Sequence, residues 1–369
     1  MTMIQTPWNA QTQLIRIAVQ AKRPDVDQPP PLNLVFLIDT SGSVGHPNKL
    51  PLLKQSFRLM LDQLRANDEV AIVTYAGSAG QVLDPTSAAE KPRILGALER
   101  LQAGGSTHGQ AGLQQAYQAA LQMTAPQEVT RVILATDGDF NLGLSDHEQL
   151  TDYIAKQRHS GVYLSVLGFG RGNLNDATLQ ALAQNGNGQA AYIDTLSEAQ
   201  KVLVDQLTGA LFPIANDVKI QVEFNPAVIA EYRLIGYENR ALRREDFNND
   251  NVDAGEVGAG HQVTALYEVT PVGSPARLTS PLRYKQPGAT QSQRIETPIT
   301  PGTSLDDDDF LFAAAIAGFG QHLRDPPYLG DWSWDEVINL AQDARGADLF
   351  GYRSAAITLM RLAQSLSTK

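Results

Sequence analysis

The sequence predicts an α/β fold: a doubly wound, mostly parallel sheet inserted into an antiparallel β domain, followed by a C-terminal helical segment. Three observations predict it. From about residue 31 to 212, apolar strand-like runs alternate with helical stretches, the rhythm of parallel strands joined by crossover helices. From 216 to 300 the alternation shortens to two residues, as in antiparallel strands with one wet face. A strand-like run at 11–22 precedes the α/β part with no antiparallel partner before it, so it is assigned to the later β sheet.

In the run at 11–22, Ile15, Ile17 and Val19 fall on one face and Leu14, Arg16 and Ala18 on the other. Pro24 and Pro29-Pro30-Pro31 make a stiff connector. Leu32 to Ile38 is almost continuously apolar, which suits a strand covered on both faces. A helix is expected over about 48–65, with Leu52, Leu53, Phe57, Met60, Leu61 and Leu64 at 3–4 residue spacing, Asn48 as its N-cap and Pro51 in its first turn. Strands at 69–75, 129–136, 162–168 and 190–194 alternate with helices at 88–101, 109–123, 146–159, 175–184 and 197–210. Three further strand-like runs cover 218–224, 230–237 and 262–269, and the chain turns helical again over 305–369. The expected division is 1–30 (strand and connector belonging to the β domain), 31–212 (α/β domain), 213–300 (β domain) and 301–369 (helical segment).

Of the 369 residues 43% are hydrophobic, enough for a real core and against wholesale disorder. Asp and Glu number 40 against 29 Lys and Arg, a net charge of -11. A dedicated binder of nucleic acid or anionic membrane needs a basic face, so neither class is expected. The chain has no Cys, which excludes disulfides, thiolate metal sites and cysteine nucleophiles. No apolar run reaches the ~18 residues of a membrane span. Met1 to Trp8 lack a basic-then-apolar signal pattern, which leaves a cytoplasmic protein or a chain that begins after its leader.

The strand ending at Ile38 runs into Asp39-Thr40-Ser41-Gly42-Ser43, a D-x-S-x-S at the carboxyl end of a central parallel strand, where open α/β sheets bind ligands. One carboxylate and two hydroxyls on one tight loop are oxygen donors suited to a hard cation such as Mg2+. Two more oxygen donors end neighbouring elements: Thr107, in the Gly-rich loop from Gly104, and Asp137, directly after the apolar strand Val132 to Thr136.

Asp39, Ser41, Ser43, Thr107 and Asp137, in that order, resemble the metal-ion-dependent adhesion site (MIDAS) of von Willebrand factor type A (VWA) domains, over about half the chain. Asn33 to Asp39, Leu134 to Asn141 and Tyr232 to Arg240 are further similar to a bacterial VWA group labelled as similar to calcium-activated chloride channel regulators, with a trailing domain of unknown function. In that group a longer N-terminal region and a lipoprotein-type leader often precede the VWA domain. The resemblance therefore implies the cell envelope, with the leader absent here and the cytoplasm as the alternative. It also implies Mg2+ or Mn2+ on the five residues, aspartates acting partly through water, and one coordination position open to solvent. A Glu or Asp of a protein partner would fill that position, making the site a non-enzymatic carboxylate receptor. The alternatives are an assembly or client-recruiting component of an ATPase or membrane complex, and a Mg2+-dependent hydrolase with His108 as its base. No G-x-S-x-G elbow surrounds Ser41 or Ser43. The sequence leaves the partner's identity and the oligomeric state open.

Three other stretches draw notice. Gly168-Phe169-Gly170-Arg171-Gly172 lacks a third glycine at the spacing of a dinucleotide loop, arises late in the α/β order, and reads as a turn after a strand. Asp246, Asn248 and Asp250 have the 1-3-5 spacing of a calcium loop, but Asn251 replaces the glycine at the sixth position; a polar hairpin and a structural Ca2+ clip both fit. Asp306 to Asp309 precede an apolar helix, where acidic residues suit the positive end of the helix dipole; the other reading is an acidic ligand for another molecule's metal site.

Overall fold

The computed structural model describes residues 2–22, 29–76, 78–105, 109–138, 147–158, 160–170, 175–205, 211–237, 242–272, 278–287, 289–299, 307–324 and 327–367. The chain forms two compact units: Met1–Gln20, Asp217–Ala254 and Gln262–Lys369 make one, Ala21–Asn216 and Gly255–His261 the other. The first unit opens with strands β1 (Thr2–Gln5) and β2 (Gln13–Gln20), which pair antiparallel with Met3 opposite Ile15. This corrects the expectation that the strand at 11–22 has no partner before the α/β part. Four residues are too few to display a period, so β1 left no mark in the sequence. Its turn is closed by hydrogen bonds: the Thr6 N–H donates to the Thr12 carbonyl at 3.1 Å, and Gln5 Nε2 to the same carbonyl at 2.5 Å.

The α/β unit is built on six strands: β3 (Leu32–Asp39), β4 (Glu69–Ala76), β5 (Ser78–Ser87), β6 (Val129–Thr136), β7 (Tyr163–Phe169) and β8 (Ala190–Ile193). Their order is β5-β4-β3-β6-β7-β8; all neighbours are parallel except β4 and β5. All eight residues of β3 are buried, as the apolar run predicts for a central strand. Leu34, Phe36 and Ile38 pack on one side with Phe57 and Met60 of α1 (Leu50–Leu61), the Phe36 and Phe57 rings stacked 4.2 Å apart. The next helices are α2 (Lys91–Glu99) and α3 (Gly109–Met123). Val35 and Leu37 pack on the other side of the sheet with Leu113, Ala116 and Tyr117 of α3. α4 (His147–Arg158), α5 (Asp176–Asn185) and α6 (Leu196–Gln200) follow, and α6 passes into a π-helical segment, Lys201–Asp205.

α1 starts two residues later than predicted. Its N-cap position is Lys49, and Asn48 instead hydrogen-bonds the His46 ring at 2.8 Å. Pro51 does fall in the first turn, where its missing N–H costs nothing. At the amino edge of the sheet, buried Asp68 accepts from the Leu32 N–H at 3.0 Å and pairs with Arg65, whose guanidinium also donates to the Pro29 and Pro30 carbonyls. The stiff proline connector is thereby tied to the first residue of β3.

The first unit resumes with β9 (Pro213–Ile220), which crosses the unit boundary, and β10 (Ile229–Ile235). β11 (Gly255–Gly258) belongs to the α/β unit; β12 (Gln262–Pro271), β13 (Leu278–Lys285) and β14 (Gln293–Ile299) complete the first. β2 pairs along its whole length with β12, from Gln20 opposite Gln262 to Gln13 opposite Val269, in a sheet ordered β1-β2-β12-β10. The α/β unit is therefore an insertion between two adjacent strands of an antiparallel sheet. On one face of that sheet Ile15, Ile17, Ile229 and Val269 pack with Ile220, Val222 and Phe224. On the other, Leu14 and Leu266 meet Phe310 and Ala314 of α7 (Asp308–Leu323). Helices α8 (Trp334–Asp343) and α9 (Tyr352–Ser367) close a small core with α7 through Val337, Ile338, Ala341, Ile357 and Met360. Among the described residues no helix is long and apolar enough to cross a membrane.

Candidate functional site

Four of the five predicted oxygen donors lie among the described residues; Thr107, with His108 beside it, lies outside them. Asp39 ends β3 and Asp137 follows β6, and these two strands are neighbours, so both carboxylates stand at the carboxyl edge of the sheet. The Ser41 N–H donates to Asp39 Oδ1 at 2.8 Å, which turns the D-x-S-x-S loop back over its own aspartate. The Ser41 and Ser43 hydroxyl oxygens are 3.0 Å apart. Two backbone bonds bring the Gly-rich loop alongside: Gly104 N–H to the Thr40 carbonyl at 2.8 Å, and Gly42 N–H to the Gly105 carbonyl at 3.1 Å. The residues preceding Thr107 are thus stitched to the loop of Ser41 and Ser43.

The site is buried at its base and open at its lip. Asp39 is 1% exposed, Asp137 0% and Ser41 3%, while Gly42 and Ser43 are exposed. Asp39 Oδ2 is buried without a hydrogen-bond partner among the described residues. Burial pushes the Asp39 carboxyl up to about 6; hydrogen bonds from Ser41 oppose the shift and the charge of Asp137 adds to it. A buried carboxylate oxygen without a donor, beside a second buried carboxylate, is costly unless a cation serves it. The available donors are carboxylates and hydroxyls, the hard oxygens that Mg2+ or Mn2+ prefer. On these grounds the residues present fit a hard divalent ion.

Sequence reasoning missed three members of this neighbourhood. Tyr75, paired with Asp39 across β3 and β4, is fully buried; burial first, then the charge of Asp39, holds its hydroxyl well above the usual range. Lys49 places its Nζ 2.8 Å from Asp137 Oδ2 and 3.2 Å from the Ser43 carbonyl. Gly170, after β7, has φ +89, and a Cβ there would stand 2.8 Å from Lys49 Cγ and 2.9 Å from Cε. The glycine pattern after β7 thus provides the seat for the lysine stem; Arg171 and Gly172 lie outside the described residues. Position alone could have drawn attention to Lys49, a cation between the D-x-S-x-S loop and the following helix.

The other candidate cation loop has basic side chains against its oxygens. Lys219 Nζ donates to the Asp246 carbonyl at 3.2 Å and the Asn249 carbonyl at 2.6 Å. Arg283 bonds Asn248 Oδ1 at 2.8 Å and Asp250 Oδ1 at 3.4 Å; Lys285 reaches the Asp250 carbonyl and Asp217 Oδ2, each at 2.6 Å. Ser292 completes the shell of Asp250 and is the leading cause of its depressed pKa. The acidic run sits at the start of α7, where the Asp307 side chain accepts from the Phe310 N–H at 3.0 Å and pairs with Arg16, and Asp309 pairs with Arg353. Asp306 lies outside the described residues.

Comparison with known proteins covers most of the chain. Residues 33–206 match the model of the von Willebrand factor type A domain. Residues 209–282 and 277–366 match the model described as the C-terminal part of the uncharacterised protein YfbK. YfbK of Escherichia coli is 43% identical over 98% of this chain and 66% of its own length. The uncharacterised protein sll0103 of Synechocystis is 33% identical over 50% of this chain and 43% of its own length. The chain thus spans about two thirds of the first relative and less than half of the second. A solved von Willebrand factor type A structure from Catenulispora acidiphila aligns over 94% of this chain and 89% of its own, with a TM-score of 0.54 at 16% identity, a likeness of fold.

Proposed function

From the premise that the chain belongs to the von Willebrand factor type A family and bears a YfbK-type C-terminal domain, we propose that it is a metal-dependent protein-interaction module. VWA domains are often modules of this kind, and they are typically not enzymes. In this reading Asp39, Ser41, Ser43, Thr107 and Asp137 hold Mg2+ or Mn2+ and the loaded site captures an Asp or Glu carboxylate of a partner. The observation that carries it is Asp39 Oδ2, buried and without a hydrogen-bond partner among the described residues, beside the buried Asp137. Folding leaves a demand for positive charge at the base of the site. The exposure of Ser43 and Gly42 leaves the lip accessible to a group from outside.

The bound ion would supply a Lewis-acidic point of attachment for the incoming carboxylate. The chain's own residues do the rest. Ser41 N–H fixes one Asp39 oxygen, so the other keeps a single direction. The bonds between residues 40–42 and 104–105 hold two loops in register. The β domain and C-terminal helices would display or regulate this surface.

Titration calorimetry with Mg2+ and Mn2+ tests the reading. Wild type binds, and Asp39→Ala abolishes binding while circular dichroism stays unchanged; equal affinity in the two sinks it. A pull-down with and without EDTA, read by mass spectrometry, identifies the partner. Thr107→Ala then weakens that complex by about 2 kcal/mol or more, as loss of a contact at an interface centre commonly does.

A further inference from the structure

We propose that Lys49 is a resident cation of the metal site, one that lowers its affinity for metal alone and couples metal binding to the arrival of an anionic ligand. This rests on the reading of Asp39 to Asp137 as a metal site. Three observations carry the inference. The ammonium lies 2.8 Å from Asp137 Oδ2, one of the two carboxylates of the site, and 3.2 Å from the carbonyl of Ser43, so it bridges both halves of the donor set. Its side chain is only 12% exposed and its partner carboxylate is fully buried, so water screens the pair weakly. Its stem lies against Gly170, where the absence of a Cβ leaves room for it. A lysine merely passing over the surface would need no such seat.

The consequence is one of charge. Among the described residues, two carboxylates and one ammonium leave the site one negative charge; a divalent ion turns that into one positive charge. The ion must then either expel the lysine from a fitted seat or accept a second cation within a few Å. Both weaken binding of the metal by itself. A carboxylate from outside cancels the excess, so metal and carboxylate should each raise the affinity for the other by the same factor. A site without the lysine would be neutral when loaded and would bind metal whether or not a partner were present.

The test is calorimetric titration of Mn2+ into wild type, Lys49→Met, Lys49→Arg and Asp39→Ala, each with and without acetate as the anionic probe. Lys49→Met should bind Mn2+ about tenfold or more tightly than wild type, as removing a unit charge at this range implies, and acetate should help it less. Lys49→Arg, which keeps the charge, should stay at the wild-type affinity or below. Gly170→Ala, which fills the seat, should shift affinity in the same direction as Lys49→Met. Thermal unfolding gives a second readout: without metal, Lys49→Met melts below wild type, because Asp137 loses a buried partner, and added Mn2+ raises its melting temperature by more than it raises that of wild type. Equal or weaker Mn2+ binding by Lys49→Met, with wild type binding and Asp39→Ala not, overturns the role of Lys49 and leaves the metal site standing. If wild type and Lys49→Met both fail to bind Mn2+, the metal reading falls and this inference with it.

Discussion

Gly112 of α3 lies so close to Tyr75 at the end of β4 that a Cβ on the glycine would stand 2.6 Å from the tyrosine Cβ and 3.2 Å from Leu37 Cδ1. The helix that follows the Thr107 loop is thereby laid directly on β4 and on β3, the strand that ends in Asp39. Gly112→Ala improves helix propensity by about 1 kcal/mol, yet it must push α3 off the sheet. We expect a net destabilisation of about 1–3 kcal/mol, measured by urea unfolding, together with weaker Mn2+ binding. A stabilised Gly112→Ala would show that the contact has slack.

Asp39→Asn separates function from stability. Burial raises the Asp39 carboxyl to about 6 and Asp137 repels it, so the ionised residue strains the metal-free fold. The amide removes that charge. In EDTA the variant should be more stable than wild type by on the order of 1 kcal/mol, and in Mn2+ it should gain nothing. A lower melting temperature in EDTA would refute the account.

Removing residues 1–21 should unravel one unit and spare the other. β2 is flanked by β1 and β12, with Leu14, Ile15 and Ile17 fully buried. Hydrogen exchange should show lost protection in β10 and β12 and retained protection in β3 and β6. Loss of protection throughout would show that the insert depends on its host sheet.

His322, stacked on the Trp334 ring 4.5 Å away, has a buried Nε2 without a hydrogen-bond partner among the described residues. Burial lowers its pKa below the ordinary 6.5, opposed by a backbone hydrogen bond at Trp332. The folded state therefore binds fewer protons than the unfolded one just below pH 6.5. Its contribution is present above that pH and is lost as the solution is acidified. Between pH 7.5 and 5.5, wild type should lose more stability than His322→Gln, by on the order of half a kcal/mol after screening. Parallel curves would remove His322 from the account.

Lys219, 3% exposed, spans the carbonyls of Asp246 and Asn249. Lys219→Met keeps the stem and removes one of two donors from each carbonyl, which retain the Asn249 and Val252 N–H groups, at an expected cost of about 1 kcal/mol. Unfolding of the variant with and without Ca2+ checks it: rescue by Ca2+ would mean that the loop's oxygens accept a metal once the lysine is gone.

Much of this was legible because each signal was local. The unbroken apolar run Leu32 to Ile38 is enough to place a central strand, and Asp39 and Asp137 directly follow such runs, so their meeting at one sheet edge follows from parallel pairing. β2 found its place by lacking an obvious neighbour, although β1 proved to be one. What stayed hidden depends on distance in the chain. Lys49 stands at a suggestive position after the D-x-S-x-S loop, but its ion pair with Asp137 and its seat against Gly170 join residues far apart in the sequence. Asn48 has the composition of an N-cap, but its side chain is used by His46 instead. The 1-3-5 oxygens of Asp246 to Asp250 carry no hint that Lys219, Arg283 and Lys285 will converge on them.

The pairing of β2 with β12 also bears on the order of events during synthesis. Gln20 leaves the ribosome about 240 residues before Gln262, a delay of roughly ten to fifty seconds at ordinary elongation rates. For that time Leu14, Ile15 and Ile17 wait without the partner on one edge, while β3 to β8 and their helices emerge as a unit able to close its own cores. The nascent protein thus carries a greasy, half-matched ribbon ahead of a unit that has already closed its cores until the late strands arrive, and a chaperone that shelters β2 would raise the yield of folded protein.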